Sequence, residues 1–199
     1  MDLHQHLNHT HQHALQQRLS VTRVTAQACD YESPVHQHAQ GQLVLALAGG
    51  VRCQIEGQVW MVPPQYAVWI PPHHQHTNFV THNAEVCMAF IAADEPIAAL
   101  AAGTVQVSPL LRELLLRLAS LQAACDAAEA VYRHGLIDVL LLELQRAPAV
   151  AYAIPMLTHP RLQPLYQTLL REPHNRDGSV VWAKRLAMSE RTMLRLVQQ

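Results

Sequence analysis

Hydrophobic and polar positions change rhythm twice along this chain. From Ser20 to about Ala93 the apolar residues come in short runs or strict alternation. Val21–Thr25 and Val51–Ile55 alternate, whereas Gln42–Leu47 is an almost unbroken apolar run closed by Gly49-Gly50. Val59–Val62 and Tyr66–Ile70 each stop at a Pro-Pro pair, Glu56-Gly57 reads as a turn, and a further run extends from Val86 to Ala92. Short strands broken by Gly and Pro at this pace predict a small antiparallel sandwich or barrel. After Pro96 the period becomes helical. Ser108-Pro109 is a cap followed by proline at the first helical position, and Asp126 with Glu129 has capping-box spacing ahead of a helix to roughly Arg146. Pro148 to Pro160 reads as a linker. A helix follows from near Arg161 to before Pro173, and Ser179 is expected to cap the next.

The last helices are the most distinctive. Trp182–Ala187 reads as a helix, Met188-Ser189 as a sharp break, and Ser189 as the N-cap of a second helix with Glu190 at its positive end. At helical spacing Met193, Leu196 and Val197 fall on one stripe, and Arg191, Leu194, Arg195 and Gln198 on another. Two short helices joined by a tight turn, the second showing arginines, are how a helix-turn-helix presents a reader to the major groove. Lys184 and Arg185 stand near enough to meet phosphate.

Half of the 199 residues are hydrophobic and only 15% are charged, so most of the chain can form cores. The net charge is −1, so any attraction to nucleic acid must be local. Lys184 to Arg195 supplies it, with four basic residues against Glu190 alone. Cys29, Cys53, Cys87 and Cys125 are scattered without a C-x-x-C pair, and no apolar run approaches membrane length. The expectation is a reduced, cytoplasmic protein without membrane association. Residues 1–18 carry His4, His6, His9, His11 and His13 among polar residues, and read as a flexible tail with at most weak metal binding.

Candidate site chemistry gathers in the strand region. His36-Gln37-His38 is followed by Gln42 and, seven residues later, Gly49. Pro71-Pro72-His73-His74-Gln75-His76 follows the strand that ends at Ile70. Residues two apart on a strand share a face, so His36 and His38 can converge inside a barrel, with His76 as a third member. This spacing resembles the first cupin motif, H-x-H-x₃-E-x₆-G, with Gln42 where glutamate would stand. Pro71 and His76 fit the second motif, which departs at His73, where glycine is usual, and at Val80, where asparagine would be. The expected pocket comprises His36, His38, Gln42, His76 and Trp69. It is read either as a hydrogen-bonded ligand pocket without metal or as a site in which His36, His38, Gln42 and His76 hold a divalent transition metal.

Together the two halves resemble an AraC/XylS-type transcriptional regulator with an N-terminal cupin sensor domain. The residues that carry this are His36-x-His38-x₃-Gln42-Leu43, Trp60–Pro64, Ala67–Pro71 with His76, Ser108–Leu114, Trp182-Ala183 and Met188–Thr192. The resemblance implies a mixed β and α fold: a cupin-like β-barrel, then helices, then a partial helix-turn-helix DNA-binding domain. The expected boundaries are 1–18 tail, 19–95 cupin-like sensor, 96–147 helical linker or dimerisation segment, 148–160 proline-containing linker, and 161–199 first helix-turn-helix. The second reader unit of the family is not found, so the expectation is a C-terminally truncated regulator or a fragment. The implied partners are double-stranded DNA, a small-molecule effector and a second copy of the chain. Arg191, Leu194 and Arg195 match base-facing positions, with Ser189 as cap and Lys184 and Arg185 toward phosphate. Leu194 is unusual there, where a small or polar side chain is more common. Two alternatives remain open: a metal-binding cupin enzyme, and a dimerising fragment without DNA binding of its own. The leucine stripe at 110, 111, 114, 115 and 118 is expected to bury against either the barrel or a second subunit.

Overall fold

Whether a strand reads as apolar throughout or as alternating depends on how many of its faces are covered. The computed structural model describes residues 17–26, 30–62, 65–82, 84–121, 126–150, 153–155, 157, 159–172 and 175–198. The histidine tail, Cys29 and Cys125 lie outside these residues. The chain divides into two compact units, Met1–Ile154 and Pro155–Gln199.

The strands, which lie in the first unit except for the last residue of β11, are β1 (Leu19–Thr25), β2 (Tyr31–Glu32), β3 (Gly41–Ala48), β4 (Val51–Ile55), β5 (Gln58–Met61), β6 (Tyr66–Ile70), β7 (His76–Val80), β8 (Glu85–Ile91), β9 (Gly103–Gln106), β10 (Ala149–Val150) and β11 (Ala153–Pro155). One sheet runs β1-β8-β3-β6-β9-β10 and the other β11-β5-β4-β7-β2. An apolar core shared by the two sheets contains Val44, Val68, Ile70, Met88 and Phe90 of the first sheet and Val51, Cys53, Ile55, Trp60 and Val80 of the second. This is the interior of a cupin-like barrel.

Two helices, α1 (Pro109–Ser120) and α2 (Ala127–Arg146), cover the other face of the six-stranded sheet. They bury Leu111, Leu114, Leu115 and Leu118 together with Ile137, Leu140, Leu141 and Leu144 against Leu43, Leu45, Ala89 and Ile91. β3 is therefore covered on both faces, which is why it reads as an apolar run. β4 lies in the sheet without helices and keeps its alternation. Both expected caps form: Ser108 Oγ accepts from the Leu111 N–H at 3.1 Å, and Asp126 Oδ1 from the Glu129 N–H at 2.8 Å.

The leucine stripe thus packs on its own barrel, and only Leu110 remains exposed. The segment from 96 is not wholly helical, because β9 pairs with β6 and extends the sheet. The stretch read as a linker holds β10, paired with β9, and β11. β7 escaped the sequence because His76, Thr77 and Asn78 look polar, yet all three are buried. Gly49 takes φ +74°, where an added Cβ would lie 2.6 Å from Ala84 Cα, so the motif glycine is needed for both its turn and its close approach.

The second unit has a short 3₁₀ turn (Pro160–Leu162) leading into α3 (Gln163–Arg171), then α4 (Ser179–Arg185) and α5 (Glu190–Val197). Its core is Leu162, Leu165, Trp182, Ala183 and Met193. Ser189 Oγ accepts from the Thr192 N–H at 3.2 Å, capping α5 as expected. Ser179 does not cap: Gly178 holds the N-cap position, and the Ser179 hydroxyl turns to the Glu190 carboxylate. Of the expected apolar stripe, Met193 is buried and Leu196 half-buried, but Val197 is exposed on the last turn.

Candidate functional site

Three stretches of chain build the histidine cluster. His36 and His76 form an antiparallel bridge, with the His76 N–H donating to His36 O at 2.9 Å and the His36 N–H to His76 O at 3.1 Å. The His73 N–H donates to His38 O at 2.9 Å, so the loop before β7 is held against the second histidine. His73 has φ +63°, the left-handed conformation that explains why glycine is usual there. Gln42 enters from β3 and is fully buried.

The ring centroids lie 4.3 Å apart for His36 and His76, 5.1 Å for His38 and His76, and 6.0 Å for His36 and His38. Each ring turns Nδ1 toward a main-chain carbonyl: His36 to Pro34 O at 2.8 Å, His38 to Gln40 O at 2.6 Å, and His76 to His74 O at 2.9 Å. As neutral imidazoles they donate through Nδ1, which leaves the Nε2 lone pairs for a cation. Orientation of metal-binding histidines by a carbonyl on the opposite nitrogen is a common arrangement. Burial lowers the pKa of His38 from the ordinary 6.5, against the opposing pull of the Gln40 carbonyl, and so favours the neutral ligand form.

His76 Nε2 lies 3.0 Å from Gln42 Oε1. With His76 neutral both atoms are acceptors, a conflict that a cation between them, or a proton on the ring, removes. Asn78 Oδ1 is a buried acceptor without a hydrogen-bond partner among the described residues. The three histidines offer ligand atoms within 4.8 Å of one another. The ~3.4 Å edge of a tetrahedral site with ~2.1 Å bonds falls inside that bound. The set fits a borderline transition cation better than magnesium or calcium, which favour carboxylate and water oxygens.

Trp69 does not belong to this site. Gln42 pairs with Ile70 and Leu43 with Trp69, so the tryptophan points to the opposite face of the sheet, in the core shared with α1 and α2. Its Nε1–H donates to Leu100 O at 3.2 Å, and its ring fills the space where a Cβ on residue 41 would stand, making Gly41 obligatory. Sequence reasoning missed Asn78 and Gln40. Asn78 follows His76 by two on one strand, which period two would have flagged, and its Nδ2–H lies 3.5 Å from Gln42 Oε1. Gln40 is buried with neither amide atom partnered among the described residues.

In the second unit Arg191, Leu194, Arg195 and Gln198 are exposed together on α5, where with Glu190 they line one open depression. Lys184 is exposed as well. Arg185 is committed elsewhere, paired with Asp177 at 2.7 Å and stacked 4.9 Å over the Trp182 ring. Ala187, in the turn, has φ +50°, and its carbonyl accepts from Arg161 Nη2 at 3.1 Å.

A family model described as an AraC-like ligand binding domain matches residues 18–144. The HTH-type transcriptional regulator NimR of Escherichia coli (strain K12) is 42% identical over 165 residues, covering 83% of this chain. The chain spans 60% of the length of that relative. Among solved structures, the AraC-like transcriptional activator CuxR aligns with a TM-score of 0.48 at 10% identity, over 91% of this chain and 70% of that one. An RmlC-like cupin from Shewanella frigidimarina aligns with a TM-score of 0.35 at 19% identity, over 39% and 69%.

Proposed function

The chain belongs to the AraC-like ligand-binding family, and from that membership we propose that it serves a ligand-responsive, DNA-binding transcriptional regulator rather than an enzyme. The observation that carries this reading is the exposed Arg191 and Arg195 pair on a capped helix, in a chain whose other unit is a family sensor barrel. A helix N-terminal half in the major groove with arginines one turn apart reads guanine edges through bidentate hydrogen bonds. Lys184 would meet phosphate. Arg185 would contribute less than its sequence position suggests, since Asp177 already neutralises it.

We infer that the sensing site is the histidine cluster, with His36, His38 and His76 holding a divalent transition cation and Gln42 supplying its carbonyl oxygen. Such a donor set is neutral, so a bound cation keeps its charge and favours an anionic or polar effector as a further ligand. Association into a homodimer would use the outer face of α2, where Val131, Tyr132, Val139 and Leu142 are exposed, rather than α1. Among the described residues no helix is long and apolar enough to cross a membrane. A regulator of this kind works in the cytoplasm, where the DNA is.

The test is selection from a randomised duplex library with the 199-residue chain, read by fluorescence anisotropy on enriched and unenriched duplexes. Non-specific binding is expected at roughly 10⁻⁴–10⁻⁶ M near physiological salt, falling steeply as salt rises. Arg191→Ala should cost about 1–3 kcal/mol of discrimination on any enriched sequence. Absence of DNA association at low salt, or an affinity indifferent to both Arg191→Ala and Arg195→Ala, would overturn the proposal.

A further inference from the structure

A cavity of about 510 Å³ lies on the helix-covered side of the six-stranded sheet, between the end of β9, the first turn of α1 and the last turn of α2. We propose that it is a second ligand site, for an organic anion with an apolar body.

Its wall is apolar where Leu45, Val107 and Leu111 face it, and all three are buried. Its polar side carries Arg112 and Arg146, one from each helix. Among the described residues neither guanidinium is paired with a carboxylate. Glu143 also lines the cavity and is engaged by the Ser108 hydroxyl, which donates to it at 3.3 Å. The charged lining therefore sums to one positive charge, with two forked donors and one acceptor already in use. An apolar wall opposite two unneutralised arginines matches an amphiphile whose head is a carboxylate or a similar anion, because guanidinium forks bind planar anions bidentately. The volume falls within the range of about 300–1,000 Å³ usual for small-molecule sites.

This cavity is separate from the histidine cluster. Leu45 and Gln42 are three residues apart on β3 and point to opposite faces of the sheet, so a molecule in one site cannot reach the other through the barrel wall. An anion held by both arginines ties the first turn of α1 to the last turn of α2. There the Gln106 N–H already donates to Pro148 O at 3.0 Å, beside the point where the chain leaves the helix. Occupancy would thus stiffen the end of α2 without touching the barrel interior.

Calorimetric titration of the full chain with sodium decanoate, decanol and decyltrimethylammonium tests this. One decanoate per chain is expected, with decanol and the cation at least about tenfold weaker. The Arg112→Gln/Arg146→Gln variant, checked for an unchanged melting curve, should bind decanoate roughly tenfold to a hundredfold more weakly, the worth of charge-assisted hydrogen bonds. The His36→Ala/His38→Ala variant should bind it as the wild type does, which separates this site from the proposed cation site. Equal binding of decanol, an affinity unmoved by loss of both arginines, loss of decanoate binding in the histidine variant, or no binding at millimolar decanoate would each overturn the proposal.

Discussion

His36, His38, His76 and Gln42 come from three separate stretches of chain and meet in one cluster, His76 and Gln42 buried and His36 and His38 half-buried, whereas Arg191, Leu194 and Arg195 occupy one exposed face of a single eight-residue helix. The first group is held by main-chain carbonyls, β-bridges and burial. The second needs only a helical period and a serine cap. A sensing site gains from rigidity, since its ligand atoms must be preset. A reader must stay uncovered, since its partner supplies the other half of every contact. In the proposed roles the two units would meet these requirements with opposite arrangements of polar groups.

The two long helices of the first unit sharpen the contrast between covered and uncovered faces. Leu111→Asp with Leu115→Asp places two charges in the core under the sheet and should abolish folding, as loss of the cooperative melting transition would show. Val131→Asp with Leu142→Asp alters only the exposed face of α2 and should leave a folded monomer by sedimentation. If the first variant folds as a monomer, α1 and not α2 carries self-association.

Smaller effects test the loops that orient each site. Ala187 holds a left-handed conformation in the turn between α4 and α5. Ala187→Gly should stabilise the second unit by about 1 kcal/mol by relieving a conformation unfavourable for a side chain. A lower melting temperature would show that the turn is not strained.

The smallest effect expected is on pH. Asp30 accepts from the His82 main-chain N–H at 2.8 Å, and this bond holds its pKa below the ordinary 3.8. A depressed carboxylate contributes stability above its unfolded value and loses it as pH falls through the folded one. Asp30→Asn should therefore flatten the stability profile only below about pH 4. The group is exposed, so the change should be slight, and a difference confined to neutral pH would contradict this assignment.

The same contrast governs what the sequence revealed. The exposed arginine-bearing face of α5, the Ser189 cap and the Asp126 cap were legible because each depends on residues within four positions of one another. His36, His38, Gln42 and Gly49 were legible by motif spacing, whereas the strand assumed for the two histidines is only an isolated bridge at His36. Trp69 was misplaced because its face depends on the β3–β6 register, which pairs it with Leu43 rather than Gln42. β9 was missed because Gly103–Gln106 is only four residues long and its pairings, with Tyr66–Trp69 on one side and Ala149-Val150 on the other, are remote in sequence. Arg185 looked available because its partners, Asp177 and Trp182, are engaged only once α4 folds.

The claim that the histidine cluster is the sensing site is tested most directly by its cation. After exhaustive chelation, the wild-type chain and the His36→Ala/His38→Ala variant are titrated with zinc and with nickel in a calorimeter, both with residues 1–16 removed and with them present. One cation per chain lacking those residues, lost in the double variant while the fold persists, is the result expected. Binding that vanishes with the tail, or that survives the double substitution, would place the metal elsewhere and contradict the account.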